Sequence, residues 1–212
     1  ALLKTKIPMR IVTFLLRFTK GSEKAVIFAF MAATFVCSMF ISDLPCSALF
    51  SGIAVSSVLQ IEGAEPGKSR FGRALMIAIP YAACIGGEAL PSGSSMNVMA
   101  MGMLQSSMGI SISFFDWAAI CTPIAVVLLV VAWASVVLVH RPDPLSDATL
   151  ARLAEFAERK ERFEALDWKV LGIFALTFGL WLASNWTGWD LTGIALLGLV
   201  LCFVPGIDVL SW

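Results

Sequence analysis

Two stretches of this chain carry the groups that could do chemistry. In "CSMFISDLPCSALFSG", residues 37–52, Asp43 stands between Ser42 and a Leu-Pro pair inside a run that otherwise reads as a membrane segment. In "IGGEALPSGSSMN", residues 85–97, a Gly-Gly pair, Glu88, Pro91 and several serines interrupt a second apolar run. Proline breaks a helical ladder because it lacks an N–H and clashes with the preceding turn. Pro45 is nonetheless suited to start a second half-helix, since a first-turn N–H has no partner to lose. Each break frees main-chain carbonyls and N–H groups, which a bilayer tolerates only against protein, water or a bound ion. Carbonyls and hydroxyls can hold a sodium ion, and half-helix N-termini favour an anion. The spacing therefore predicts a solute and ion site built from broken helices.

Composition supplies the lipid that this argument needs. Of 212 residues, 58% are hydrophobic and 14% charged, with a mean hydropathy of +0.86, against roughly 25% charged in soluble domains. A spanning helix takes roughly 20 apolar residues, so the chain has room for about five or six membrane segments. Net charge is zero, and no basic stretch carries the interleaved aromatics of a nucleic-acid surface, so no nucleic-acid partner is expected. Cys37, Cys46, Cys84, Cys121 and Cys202 stand singly in apolar runs and are expected to be small core hydrophobes. Paired metal ligands, a Ser/His pair within the membrane segments and a phosphate loop are all missing, which argues against an enzyme and against an organic cofactor. There is no starting Met and no signal-peptide pattern, and the chain stops just after an apolar run, so we expect a piece of something longer.

The apolar pattern sets out the elements that must position the site. Residues 1–24 read as a cytoplasmic interfacial helix with the stripe Ile11, Phe14, Leu15 and Phe18. Residues 25–61 read as two arms around the break at 42–45, residues 62–73 as a cytoplasmic linker, and residues 74–104 as a broken transmembrane helix. An unbroken span over 118–139 follows, with Pro123 as a possible kink. Residues 140–168 form a charged cytoplasmic loop with an amphipathic helix, whose Glu155/Arg159 and Glu158/Arg162 pairs suit a solvated face. Two further transmembrane helices occupy 169–205. Lys and Arg number six in residues 1–24, three in 62–73 and six in 140–169, and none in 105–117 or 185–190; this alternation is that of cytoplasmic and outer loops. Residues 25–61 thus begin and end on the cytoplasmic side, either as two full spans or as a re-entrant hairpin. Ser47, Ser51, Gly52, Ser56 and Ser57 in the second arm suit protein contact and favour the hairpin. Met96, Met99, Met101 and Met103 are expected in the core, His140 at the membrane boundary, and Trp117, Trp168, Trp186 and Trp189 in the aromatic belts.

These motifs bear a resemblance. "CSMFISDLPCSALFSGIA" resembles the first re-entrant hairpin of the divalent anion:sodium symporters, whose tip reads Ser-Asn-Thr with a further Ser four residues earlier. "IGGEALPSGSSMN" is similar to that family's Ile-Gly-Gly-x-x-Thr-x-x-Gly-Thr-Pro-Pro-Asn unwound segment. "LLKTKIPMRIVTFLLRFTKGSEKAV" resembles its interfacial helix, and "LDWKVLGIFALTFGLWL" the start of its second repeat. The resemblance implies that Ser38 and Ser42 offer hydroxyls to a sodium ion, that Gly86 and Gly87 offer carbonyls, and that Gly93, Ser94 and Asn97 line the distal end of the site. The chain departs from the pattern where Asp43 replaces Asn, Leu44 and Leu90 replace Thr, and Ser95-Met96 replaces two prolines; Glu88 adds a second acid. An ionised Asp accepts hydrogen bonds only and repels a carboxylate, so Asp43 serves a cation, is protonated when an anion binds, or merely caps a helix. Burial favours the neutral form of a carboxyl and a nearby cation the charged form, so proton coupling is open beside sodium coupling.

The expectation is an all-α polytopic membrane protein: an inverted-repeat half of a transporter, with a re-entrant hairpin and a broken transmembrane helix, plus the start of the second repeat. Its activity would be alternating-access symport of a small, anionic solute such as a dicarboxylate or sulfate, coupled to sodium or protons. Sodium would be held by Ser38, Ser42, Asp43 and Gly86, with Gly87, Glu88, Gly93, Ser94 and Asn97 completing the site. Expected partners are the lipid bilayer, the solute, the remaining half of the transporter, and a second copy in a homodimer, in a bacterial inner membrane. The alternatives are a cation or proton exchanger and a non-transporting membrane subunit.

Overall fold

In the computed structural model, described residues are 7–16, 19, 22–56, 69–146, 151, 155, 165–187, 189 and 191–204, leaving aside the side chains at 184–187 and 191. Helix α2 (Glu23–Ser38) is apolar on every face and must be surrounded. It lies at the centre of the bundle, with Ile27, Phe30, Met31, Ala33 and Thr34 fully enclosed. Ser22 is its N-cap and Glu23 puts a negative charge in its first turn, where the helix dipole favours it. Two turn residues, Met39 and Phe40, end it. The chain then reverses into α3 (Asp43–Ala54), whose third residue is Pro45. Cys46 and Phe50 of α3 are buried, and Cys46 Sγ reaches back to the Thr34 carbonyl at 3.5 Å.

The long partner of both arms is α4 (Arg70–Ala89), capped by Ser69, whose hydroxyl accepts from the Gly72 N–H at 3.0 Å. Ala74, Ala78, Ala82 and Gly86 recur every fourth residue on its buried face. Small side chains in that row let helix backbones approach closely. At Gly86 the approach is extreme, since a Cβ there would stand 2.5 Å from the Phe35 carbonyl oxygen of α2. Pro80 lies inside α4, which nevertheless runs through to Ala89. After the segment 90–94 comes α5 (Ser95–Met108), closed by Gly109 in the left-handed region at φ 68°.

Helix α6 (Phe114–His140) starts in a capping box: Asp116 N–H donates to Ser113 Oγ at 3.1 Å, and Ser113 N–H donates to Asp116 Oδ2 at 3.1 Å. Pro123 does not divide it. Of its 27 residues only Phe114, Ala125, Leu129 and Val136 are buried, so its outer faces are bare apolar surface, as a lipid-facing helix requires. α7 (Ala165–Thr187) and α8 (Leu191–Phe203) follow. By length and composition α6 and residues 165–183 of α7 are suited to cross a membrane. The described residues contain no strand, and the fold is that of an all-α membrane protein. The helix α1 (Ile7–Leu16) precedes the bundle.

Two apolar clusters organise the packing. The larger joins α1, α2, α3, α4 and α6; the smaller lies between α7 and α8 around Val170 and Cys202. Aromatic rings connect them: Phe40 meets Phe174 at 4.8 Å and Phe178 at 5.6 Å, both edge-on, and Phe114 stacks on Trp181 at 5.3 Å.

α1 turns Val12 and Leu16 into the bundle and leaves Phe14 of its apolar stripe 57% exposed, which does not conflict with an interfacial helix. Several local expectations need correction. Phe18 lies outside the described residues, as does most of the charged helix at 147–165, Glu158, Arg159 and Arg162 included. Of the four methionines expected in the core only Met101 is buried, since α5 touches this bundle along a narrow line. Cys37, Cys46 and Cys202 are buried, whereas Cys84 is exposed on the outer side of α4 and Cys121 is half-buried on α6.

Candidate functional site

The turn at 39–42 and the segment 90–94 lie against each other. Ser92 Oγ donates to the Met39 carbonyl at 2.9 Å. A Cβ at Gly93 would fall 2.5 Å from the Gly87 carbonyl oxygen and 2.9 Å from that of Ser38, so only a residue without a side chain fits there. Gly87 faces Asp43: a Cβ on it would lie 3.6 Å from the Asp43 Cβ and 3.7 Å from Ser38 Oγ. Ser38, Asp43, Gly87 and Gly93 are thereby gathered where α2 and α4 end and α3 begins. Two carbonyl ends and the N–H end of α3 meet at one place.

The last turn of α4 shows how its carbonyls are used. The Asn97 amide nitrogen donates to the Gly87 carbonyl at 2.9 Å and the Leu90 carbonyl at 3.0 Å. Trp117 Nε1 donates to the Glu88 carbonyl at 3.2 Å, and Thr122 Oγ1 to the Ala89 carbonyl at 3.1 Å. Leu90 is extended at φ −125°, ψ 152°, and its N–H does not return to Gly86 in the helical manner.

The other predicted site residues take distinct positions. Ser38 is fully buried and its hydroxyl donates to the Ala83 carbonyl at 2.6 Å, which leaves its oxygen lone pairs for a cation. Ser42 is the exposed N-cap of α3 and makes no capping bond; it donates instead to Asp43 Oδ1 at 3.2 Å. Asp43 is half-buried in the first turn of α3. Among the described residues its carboxylate accepts that bond alone, so it is not the cap. Ser94 caps α5, accepting from the Met96 N–H at 3.3 Å. Asn97 is 2% exposed. The Glu88 side chain is exposed on α4, and that residue joins the site's bonding through its carbonyl alone.

Three participants were not anticipated as such. Ser92 lies within the quoted break, and its pairing follows from the meeting of two breaks. Trp117 reads as a belt residue from its place at a span end. Thr122 carries no signal in the sequence, because nothing in its neighbours names the carbonyl that it serves.

Oxygen-rich helix ends and a carboxylate thus meet in one place inside an all-helical membrane bundle. The chain belongs to the citrate transporter family, whose profile matches residues 1–207. This agrees with the resemblance to divalent anion:sodium symporters. A sodium-dependent dicarboxylate transporter of Staphylococcus saprophyticus is 27% identical over 95% of this chain and 40% of its own length. A citrate/succinate antiporter of Escherichia coli K12 is 28% identical over 68% of this chain and 31% of its own length. A sodium-dependent high-affinity dicarboxylate transporter of Caenorhabditis elegans is 24% identical over 83% of this chain and 34% of its own length. The chain spans less than half the length of these curated relatives.

Proposed function

We propose that this chain forms the first half of a secondary active carrier that moves a small di- or tricarboxylate by alternating access, coupled to sodium. The observation that carries this reading is the contact between the two breaks, which brings the ends of α2 and α4, the start of α3, the Ser38 hydroxyl and the Asp43 carboxylate together. In this reading Ser38, Ser42, Asp43 and the Gly86 carbonyl hold the sodium ion. Gly93, Ser94 and the N–H end of α5 receive the carboxylate, because a helix N-terminus is an anion site. The Gly87 carbonyl and Asn97 amide are already paired with each other and hold the segment in shape. The relatives' names favour a carboxylate over sulfate, and sodium as the coupling ion.

The same reading takes α2 and α3 as a re-entrant hairpin. Their 16 and 12 residues reach about 24 Å and about 18 Å at about 1.5 Å per residue, short of a hydrocarbon core of about 30 Å. The remaining half of the carrier, a second copy in a homodimer and a bacterial inner membrane belong to the proposal as well.

The test is uptake of labelled succinate and citrate by the complete gene product in proteoliposomes, with sodium or potassium outside. Sodium-driven accumulation is the expected result; equal uptake in both salts rejects sodium coupling. Asp43 favours a second reading, coupling to protons, because its carboxylate has a single hydrogen-bond donor. An imposed pH gradient that drives accumulation without sodium would select it.

A further inference from the structure

The end of α4 has four carbonyls beyond the reach of the ladder, at Gly86, Gly87, Glu88 and Ala89, as every helix C-terminus does. Three of them are taken by side chains from other elements: Gly87 by Asn97, Glu88 by Trp117 and Ala89 by Thr122. Asn97 belongs to the interrupted segment, but Trp117 and Thr122 come from α6, which contributes no ligand to the site. Gly86 is left with no N–H returning from Leu90. Its Cα is wedged against Phe35 of α2, so this peptide unit cannot drift toward another donor without moving α2.

We propose that Thr122 and Trp117 are positioning residues of the ion site: by occupying the Ala89 and Glu88 carbonyls they fix the last turn of α4 so that the Gly86 carbonyl is the one presented to a cation. This inference rests on the sodium-coupled reading given above. Its physical basis is selection among equivalent groups. A bare helix end offers several oxygens with similar strength, and a cation pulls whichever moves most easily. Donors on α6 remove two of the choices before the ion arrives, so the remaining carbonyl is held without reorganisation. Both donors reach across to one helix end from positions five residues apart on α6, which ties the depth of that helix to the geometry of the site.

Sodium-dependent uptake of labelled succinate by the complete gene product in proteoliposomes tests this. Thr122→Val removes the hydroxyl at nearly constant volume, and Trp117→Phe keeps an aromatic ring while removing the N–H. Each is expected to raise the sodium concentration for half-maximal uptake about five-fold, the size of one lost hydrogen bond. The succinate concentration for half-maximal uptake at saturating sodium should move less, and Thr122→Ser should restore the sodium response. A general loss of folding would lower the maximal rate without this split and without rescue by serine. If both variants keep the wild-type sodium response while uptake remains sodium-dependent, the inference is overturned and the transport reading stands. If the wild-type protein shows no sodium dependence, both fall together.

Discussion

Asp43 and Ser38 share one corner of the fold and are held in opposite ways. Ser38 is locked by a 2.6 Å bond to the Ala83 carbonyl, whereas Asp43 keeps most of its acceptor capacity open. An ionised Asp43 opposes a bound carboxylate, since two like charges ~4 Å apart at an effective dielectric of ~20 repel by on the order of 4 kcal/mol. In the proposed carrier either a proton or a cation answers that charge, or the substrate carries no charge near Asp43. We therefore expect Asp43→Asn to flatten the pH dependence of uptake and to improve succinate binding; an unchanged pH profile and substrate preference in the reconstituted carrier would assign Asp43 to structure alone. Gly93 makes the complementary point about shape. Gly93→Ala places a methyl group against the Gly87 and Ser38 carbonyls, an overpacking that costs about 1–3 kcal/mol. Thermal melting in detergent should fall accordingly, and Gly102→Ala, where the added carbon meets nothing within 4 Å, should not follow it.

Among the elements, the breaks were the most legible part of the sequence because Pro, Gly and Ser act locally. Pro45 and the "GGEALPSGSSMN" run are visible without any tertiary information, and the helices do end beside them. The roles of Trp117 and Thr122 were not legible, since a donor and its carbonyl lie 29 and 33 residues apart and only the packing of α6 on α4 joins them. The same reason hid the exposure of the methionines, where an apolar residue reads alike whether a neighbour covers it or not. The arms α2 and α3 carry their own prediction. Leu44 is 78% exposed at the tip, so Leu44→Cys should react slowly with an impermeant thiol reagent from outside and faster in an inward-open state. Fast labelling from outside in every state would mean two full spans.

On the scale of the whole molecule, the rings of Phe40, Phe114, Phe174, Phe178 and Trp181 link the bundle to the α7–α8 pair. Each such pair adds about 0.5–1.5 kcal/mol beyond its buried area. Phe40→Ala removes two of them, and hydrogen exchange in α7 should rise while the protected amides of α4 hold. Should α4 lose protection equally, the two clusters would be one cooperative unit.

The contact between the breaks also has a consequence in time. Ser38 bonds a carbonyl 45 residues later in the chain, and Met39 receives its donor from 53 residues later. At about 5–20 residues per second, a ribosome supplies that donor about 3–10 s after Met39 itself is made. Until then the Ser38 hydroxyl and the Met39 carbonyl lack the partners they have in the folded chain. If α2 and α3 form the proposed re-entrant hairpin, we expect it to wait at the membrane surface and to sink into place only when α4 arrives. Ribosome-stalled chains carrying Leu44→Cys should stay fully reactive while residues beyond 83 are missing, and become protected once residue 97 has emerged. Early protection would mean that the arms enter the membrane unaided.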